Sequence, residues 1–170
     1  EYNPYNRHGD LSRRGMYRPI GINRNNFVAI TQLRPYMPHD LQGVEWIAVG
    51  SNTFNEVVPF YAHINATPAY LANTTGDVTT ESFYWANRIV AAMADAHYPA
   101  CLAHVERYQL ALSTAGHAML KRFDQQYLAA PEKDAAAYLT ACNQQLADKA
   151  RELTDDLLSK VLFSASMEMK

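Results

Sequence analysis

The alternation of apolar and polar residues divides the chain into a strand region and a longer helical region. Two short runs between Tyr17 and Gly50 favour β-strands, residues 27–33 and residues 44–49. The segment between the runs contains Pro35, Pro38 and Gly43, and it is too long for a tight hairpin turn. The pattern therefore predicts two neighbouring antiparallel strands joined by a loop.

Apolar residues recur every three or four positions from residue 80 onward, which is typical of helices. The first helix is predicted to begin near Ser82, and Pro99 either ends it or begins the next one. The second runs from Ala100 to about Ala129, and the third begins after Asp134 as its cap. Packing between these last two helices accounts for their apolar stripes, with a coiled-coil seam as the alternative.

The whole chain is predicted to form a single unit of the α+β class, in which a few antiparallel strands are followed by three main helices. Its predicted parts are a loop (1–16), a strand region (17–61), a second loop (62–79) and the helices (80–165). Within the strand region, Pro59 limits residues 56–61 to a helical turn or two. Residues 62–80 are predicted to form a loop, because they are dense in Asn, Thr, Pro and Gly.

The composition is typical of a water-soluble domain. Hydrophobic residues make up 48%, charged residues 19%, and the formal net charge is −2. Tyrosines and arginines of the N-terminal segment could stack on single-stranded nucleic acid, but the overall acidity argues against this partner. No apolar run approaches the roughly 20 residues that span a bilayer, so we expect no membrane partner. Two cysteines and no signal-peptide pattern predict a cytoplasmic protein.

Candidate chemistry within the helices is sparse. His97, Cys101 and His104 have the spacing of ligands on one helical face, but Pro99 interrupts that frame and no fourth ligand follows, so we predict no metal. His117 is predicted to be a structural histidine between helices. Cys101 and Cys142 are predicted to be buried as small apolar residues. We expect no cofactor, since a glycine-rich phosphate loop is missing.

Several motifs together resemble a known family. They are residues 17–24 (YRPIGINR), 32–35 (QLRP), Pro38, 46–50 (WIAVG), 58–61 (VPFY) and 82–88 (SFYWANR). In content and spacing they are similar to the C-terminal half of the bacterial cysteine dipeptidases of the N-terminal-nucleophile type, the dipeptidase A family. That family is related to penicillin V acylase and choloylglycine hydrolase.

The resemblance implies an αββα sandwich, in which two antiparallel sheets pack between helical layers. It also implies that an N-terminal cysteine attacks the dipeptide carbonyl while its own α-amine acts as the base. Glu1 has no nucleophilic side chain, so we expect the nucleophile upstream of residue 1. The chain is accordingly predicted to be the C-terminal portion of a larger hydrolase domain, inactive alone. Its expected partners are the missing N-terminal half and, for an exposed sheet, a second copy in a homo-oligomer.

A dipeptide substrate carries a carboxylate and an amine, so its pocket needs a cation and an acceptor. Arg18 is the candidate partner of the carboxylate and Asp10 of the amine, although a surface ion pair would explain either residue. Two other functions remain open. The parent protein could hydrolyse non-peptide amides, as the acylases do, or residues 80–165 could form a non-catalytic helical interaction module.

Overall fold

The computed structural model describes residues 25–72 and 74–169, and these residues form a small antiparallel sheet covered by helices. The strands are β1 (Phe27–Leu33), β2 (Gly43–Val49) and β3 (Val58–Tyr61), and a 3-10 turn (His39–Leu41) precedes β2. The helices are α1 (Ala69–Ala72), α2 (Phe83–Ala96), α3 (Tyr98–Ala129) and α4 (Ala135–Met167). The predicted α+β class is confirmed.

The sheet has the order β1-β2-β3, and both neighbouring pairs are antiparallel. Trp46 lies at its centre, opposite Ile30 of β1 and Pro59 of β3. The two strands predicted from the apolar runs therefore pair as expected. Val44, Trp46 and Ala48 are buried, whereas the residues between them are half-buried, so β2 turns one side toward the helices.

The prediction of a short helix within residues 56–61 was wrong, because residues 58–61 form β3. Pro59 has no N–H group, and a strand tolerates this only where the N–H would not join the ladder. Two residues later, the backbone N–H and C=O of Tyr61 bond to the side chain of Asn143 rather than to β2. Because alternate residues face the same edge, Pro59 also faces the outer edge of β3 and costs no ladder bond.

The helix boundaries follow the local signals in the sequence. The Ser82 side chain accepts a hydrogen bond from Trp85 N at the start of α2, and Asp134 accepts one from Ala137 N at the start of α4. Pro99 lies in the first turn of α3, where it needs no N–H partner. The predicted loop of residues 62–80 is interrupted by α1, a single turn after Pro68.

The core lies between the inner side of the sheet and the long helices. Both predicted apolar stripes are largely buried, and α4 packs against α3 and α2 of the same chain. Gly116 lets α3 approach β3 closely, since a Cβ at this position would lie 2.8 Å from Pro59 Cδ. Packing within the chain thus accounts for the stripes without a coiled-coil partner.

The other side of the sheet, which we call the outer sheet face, is apolar and partly exposed. It includes Phe27 and Ala29 of β1, which lie opposite Val49 and Ile47 of β2 and point to the same side, together with Leu33. Phe27 is 61% exposed and Leu33 is 76% exposed, while Ile47 and Val49 are half-buried. In the described residues, no helix is both long enough and apolar enough to cross a bilayer.

Candidate functional site

The two predicted substrate-binding residues, Arg18 and Asp10, lie outside the described residues. Their roles therefore remain predictions. The described part of the chain begins at residue 25, and β1 starts two residues later at Phe27, opposite Val49 near the end of β2. β1 therefore begins at the sheet end where β2 finishes.

A turn at Gly50 begins the polar structure at this sheet end. Gly50 has φ +85°, and a Cβ there would lie 3.0 Å from Asn87 Cβ and 3.1 Å from Tyr84 O, so the position requires glycine. Its N–H donates to Asn26 O at 3.0 Å, which joins the turn to the start of β1. The turn therefore packs directly against the N-terminal half of α2.

Asn55 connects the loop after this turn to the core through its side chain. Its Nδ2 donates to Val49 O at 2.6 Å, and its Oδ1 accepts from Glu56 N at 2.7 Å and from Tyr108 Oη at 3.0 Å. Tyr108 Oη also lies 3.1 Å from Thr154 Oγ1. These contacts join the loop to α3 and α4, so the shape of the sheet end depends on the helical layer.

Asn52 and Arg88 lie at this sheet end, and their polar side-chain atoms make at most one long hydrogen bond to the described residues. Both amide atoms of Asn52 are buried and have no hydrogen-bond partner among the described residues. The guanidinium of Arg88 makes one long contact, 3.5 Å to Asn26 Oδ1, and no ion pair in the described residues. An amide can pair with a peptide group and a guanidinium with a carboxylate, and both groups occur in a dipeptide. Sequence reasoning missed Arg88 as a candidate, although it lies in the SFYWANR motif.

The opposite end of the sheet contains a buried ion pair whose groups are already paired with one another. Arg34 Nη1 lies 2.5 Å from Asp124 Oδ2, and Arg34 also donates to Leu41 O. Tyr61 Oη donates to Asp124 Oδ1 at 2.8 Å, and burial together with the charge of Asp124 raises the pKa of Tyr61 far above its usual value. We therefore interpret the cluster as structural.

Neither cysteine has the surroundings of a nucleophile. Cys101 is 1% exposed and Cys142 is 2% exposed, which confirms the prediction that both are buried. Burial raises the pKa of each thiol, and the charge of Glu168 adds to this effect at Cys101. Because the thiolate is the attacking species, these two positions disfavour cysteine chemistry.

The two histidines of the predicted ligand pattern, His97 and His104, are held by structural contacts. His97, between α2 and α3, lies 2.7 Å from Glu168 through Nδ1, and His104 Nε2 lies 3.2 Å from Ser164 Oγ. Among the described residues, no group of three or more His, Cys, Asp or Glu is arranged to hold a metal ion. The prediction that His117 lies between helices was wrong, because its exposed ring lies against the sheet instead, 4.6 Å from the ring of Trp46.

Comparison with known proteins identifies relatives over almost the whole chain. The model of peptidase family C69 matches residues 1–111. A dipeptidase of Bifidobacterium longum (strain NCC 2705) is 38% identical over 207 aligned positions, covering 99% of this chain and 39% of the relative. A probable dipeptidase A of Streptococcus pyogenes serotype M18 (strain MGAS8232) is 40% identical, covering 97% of this chain and 34% of the relative.

A probable dipeptidase B of Lactococcus lactis subsp. lactis (strain IL1403) is 36% identical over all of this chain and 35% of its own length. The chain therefore spans between about a third and two fifths of the curated relatives that it matches. The similarity extends beyond the family match into α3 and α4, so the sequences of both the strand region and the helical region are related to those of these proteins.

Proposed function

Since the chain belongs to peptidase family C69, we propose that it forms part of a dipeptidase that cleaves unblocked dipeptides through an N-terminal cysteine. The observation that carries this proposal is the match to proteins named dipeptidase over 97–100% of the chain. The α-amine and the thiol of an N-terminal cysteine titrate close together, so one residue supplies both nucleophile and base.

The attacking cysteine is proposed to come from outside these 170 residues. Cys101 and Cys142 are both within helices, and neither has a free α-amine. Their burial and raised pKa values support the same conclusion. This chain alone is therefore expected to be inactive.

The contribution of this chain to the site is proposed to be support and substrate binding. Arg18 remains the candidate partner of the substrate carboxylate and Asp10 of its amine. Arg88 joins them as a second cation, because it has no ion pair in the described residues and lies beside Asn26 at the sheet end where β1 begins. A carboxylate that binds a guanidinium in two places is oriented as well as attracted.

The wider architecture is proposed to be the αββα sandwich of N-terminal-nucleophile hydrolases, with this chain as one portion of that domain. The outer sheet face supports this arrangement, since its apolar residues Phe27, Leu33 and Ile47 match the inner surface of a sheet-on-sheet packing. A cytoplasmic location is proposed from the two free thiols, which suit a reducing compartment.

The test is hydrolysis by the full-length protein. We expect it to release amino acids from unblocked dipeptides and to lose this activity when its N-terminal cysteine is replaced by alanine. Cys101→Ala and Cys142→Ala are the matched controls and should retain turnover, because both thiols are buried. The 170-residue chain should show no hydrolysis that iodoacetamide inhibits.

Two results would contradict the proposal. Loss of turnover in Cys101→Ala or Cys142→Ala with the protein still folded would place the nucleophile in this chain. Faster hydrolysis of acylated amino acids than of dipeptides would favour an amide hydrolase of the penicillin acylase type.

A further inference from the structure

A cleft between α3 and α4 combines an apolar floor with charged side chains at its opening. Its volume is about 150 Å³, and it lies where the first half of α3 passes the second half of α4. The inner wall is formed by Tyr108 and Ala111 of α3 and by Leu153 and Leu157 of α4. Tyr108 and Leu157 are 4% and 1% exposed, so the floor of the cleft is part of the fixed core.

The size of the cleft limits what it can hold. An apolar cavity of about 150 Å³ is known to accept one benzene molecule. The floor of this cleft is also largely apolar, but its mouth is open to solvent and charged. It therefore suits a compact apolar group of ring size or smaller, attached to a polar group that remains at the mouth.

The charges at the mouth favour a carboxylate. Arg107 is exposed and makes no ion pair or hydrogen bond in the described chain. Lys160 Nζ lies 2.5 Å from Asp156 Oδ2, so the second cation is paired with the one acidic residue of the cleft. His104 completes the mouth and is held by Ser164. Two permanent cations against one carboxylate leave the mouth positive, with Arg107 available to bind an anion.

We propose that this cleft binds a free α-amino acid with a compact apolar side chain. The side chain lies on Leu153 and Leu157, and the carboxylate binds Arg107. The ammonium group binds Asp156 through Oδ1, since Lys160 pairs with Oδ2. Such amino acids are products of dipeptide hydrolysis, and in this respect the inference rests on the proposed function. The cleft is then a second site, at which the protein binds a product of its own reaction.

Binding to the full-length protein tests the inference without any measurement of hydrolysis. L-leucine is the probe, titrated by calorimetry or by chemical-shift changes of α3 and α4, and we expect saturable binding in the millimolar range. Arg107→Gln should weaken binding at least about tenfold, since a charged hydrogen bond is lost. Ala111→Leu should abolish binding by filling the cleft. Lys121→Gln, which removes a positive charge from α3 outside the cleft, should leave binding unchanged.

Two analogues separate an amino-acid site from a general site for carboxylic acids. 4-Methylpentanoate lacks the ammonium group of leucine and should bind more weakly, and Asp156→Asn should remove the difference between the two ligands. 3-Methylbutylamine lacks the carboxylate and should not bind. Equal affinity for leucine and 4-methylpentanoate would overturn the amino-acid assignment, while unchanged leucine binding in Arg107→Gln and Ala111→Leu would overturn the cleft itself. A folded protein that binds leucine and cleaves no dipeptide would refute only the proposed function.

Discussion

Two buried tyrosine hydroxyls in the core differ in whether they have a hydrogen-bond partner. The Tyr108 hydroxyl lies within hydrogen-bond distance of Asn55 and Thr154, while the Tyr70 hydroxyl is also buried and has no partner in the described residues. The Thr154 hydroxyl does not donate to Tyr70, because its proton goes to the backbone oxygen of Ala150. A buried hydroxyl without a partner lowers stability, and one within a network raises it.

Tyr70→Phe and Tyr108→Phe are a matched pair that tests this difference. Each variant removes one hydroxyl from a buried ring. Tyr70→Phe should raise the free energy of unfolding at pH 7 by about 1 kcal/mol, whereas Tyr108→Phe should lower it by about 1–2 kcal/mol. Urea unfolding measures both. A loss in Tyr70→Phe as large as that in Tyr108→Phe would mean that the Tyr70 hydroxyl is bonded.

Tyr70 should also make stability depend on alkaline pH. Burial raises the pKa of Tyr70 above its usual value of 10.0. The neutral form is thus favoured in the folded state, and the unfolded chain ionises first as the pH rises. The stability that comes from the raised pKa of Tyr70 is fully present below about pH 10 and is lost as the pH rises further. Tyr70→Phe should therefore show a shallower loss of stability between about pH 9 and pH 11 than the parent chain in urea unfolding.

For single residues, the sequence predicts local contacts better than distant ones. Asp134 was assigned correctly as a cap, and the start of α2 near Ser82 was placed correctly, because a helix start depends on residues a few positions away. For Pro99 the sequence left two alternatives, and the structure places it in the first turn of α3. Asn143 was not assigned a role, since its partner Tyr61 is 82 residues earlier in the chain. Arg88 was missed as a candidate for a similar reason: its lack of an ion pair is visible only in the structure.

Among the elements, the contact between α3 and β3 is set by Gly116. A Cβ at this position would lie 2.8 Å from Pro59 Cδ and 3.2 Å from Pro59 Cγ. Proline is a rigid ring on a buried strand, so it cannot move aside at low cost. The elements must instead separate when a larger residue replaces the glycine.

Gly116→Ala should therefore destabilise the fold, although alanine is usually the better helix former. We expect the free energy of unfolding to fall by about 1–3 kcal/mol, the range for overpacking a well-filled core. Thermal or urea unfolding measures the change. Thr114→Ala on the exposed side of α3 is the control and should be neutral or slightly stabilising. A stabilised Gly116→Ala variant would show that the helix and the strand can separate freely.

The missed strand β3 shows why the type of a short element is harder to predict than the boundaries of a long one. Pro59 argued against a long helix and left a short helical turn as the prediction, and four residues are too few to display an alternating pattern. What makes the segment a strand is tertiary: pairing with β2 on one side and Asn143 on the other. Each long helix carries roughly nine turns of regular spacing, so its type was clear from sequence alone.

For the whole molecule, the outer sheet face is the surface best suited to a partner. We expect the 170-residue chain to self-associate through it, because Phe27 and Leu33 expose apolar side chains on a strand with one described neighbour. Leu33→Lys should shift the chain toward the monomer in sedimentation velocity experiments. Leu110→Lys changes a similarly exposed leucine, 70% against 76%, on α3 and should have no effect. Equal effects of the two variants would place the contact elsewhere.

Asn143 has a consequence for the order in which the protein is made. Its amide occupies the outer edge of β3 by bonding both the N–H and the C=O of Tyr61. The ribosome adds Asn143 82 residues after Tyr61, so for all of that time the edge of β3 is open to other strands. The nascent chain is then most prone to wrong pairing through β3 until Asn143 has been added, and a chaperone that acts during translation would protect it most during that interval.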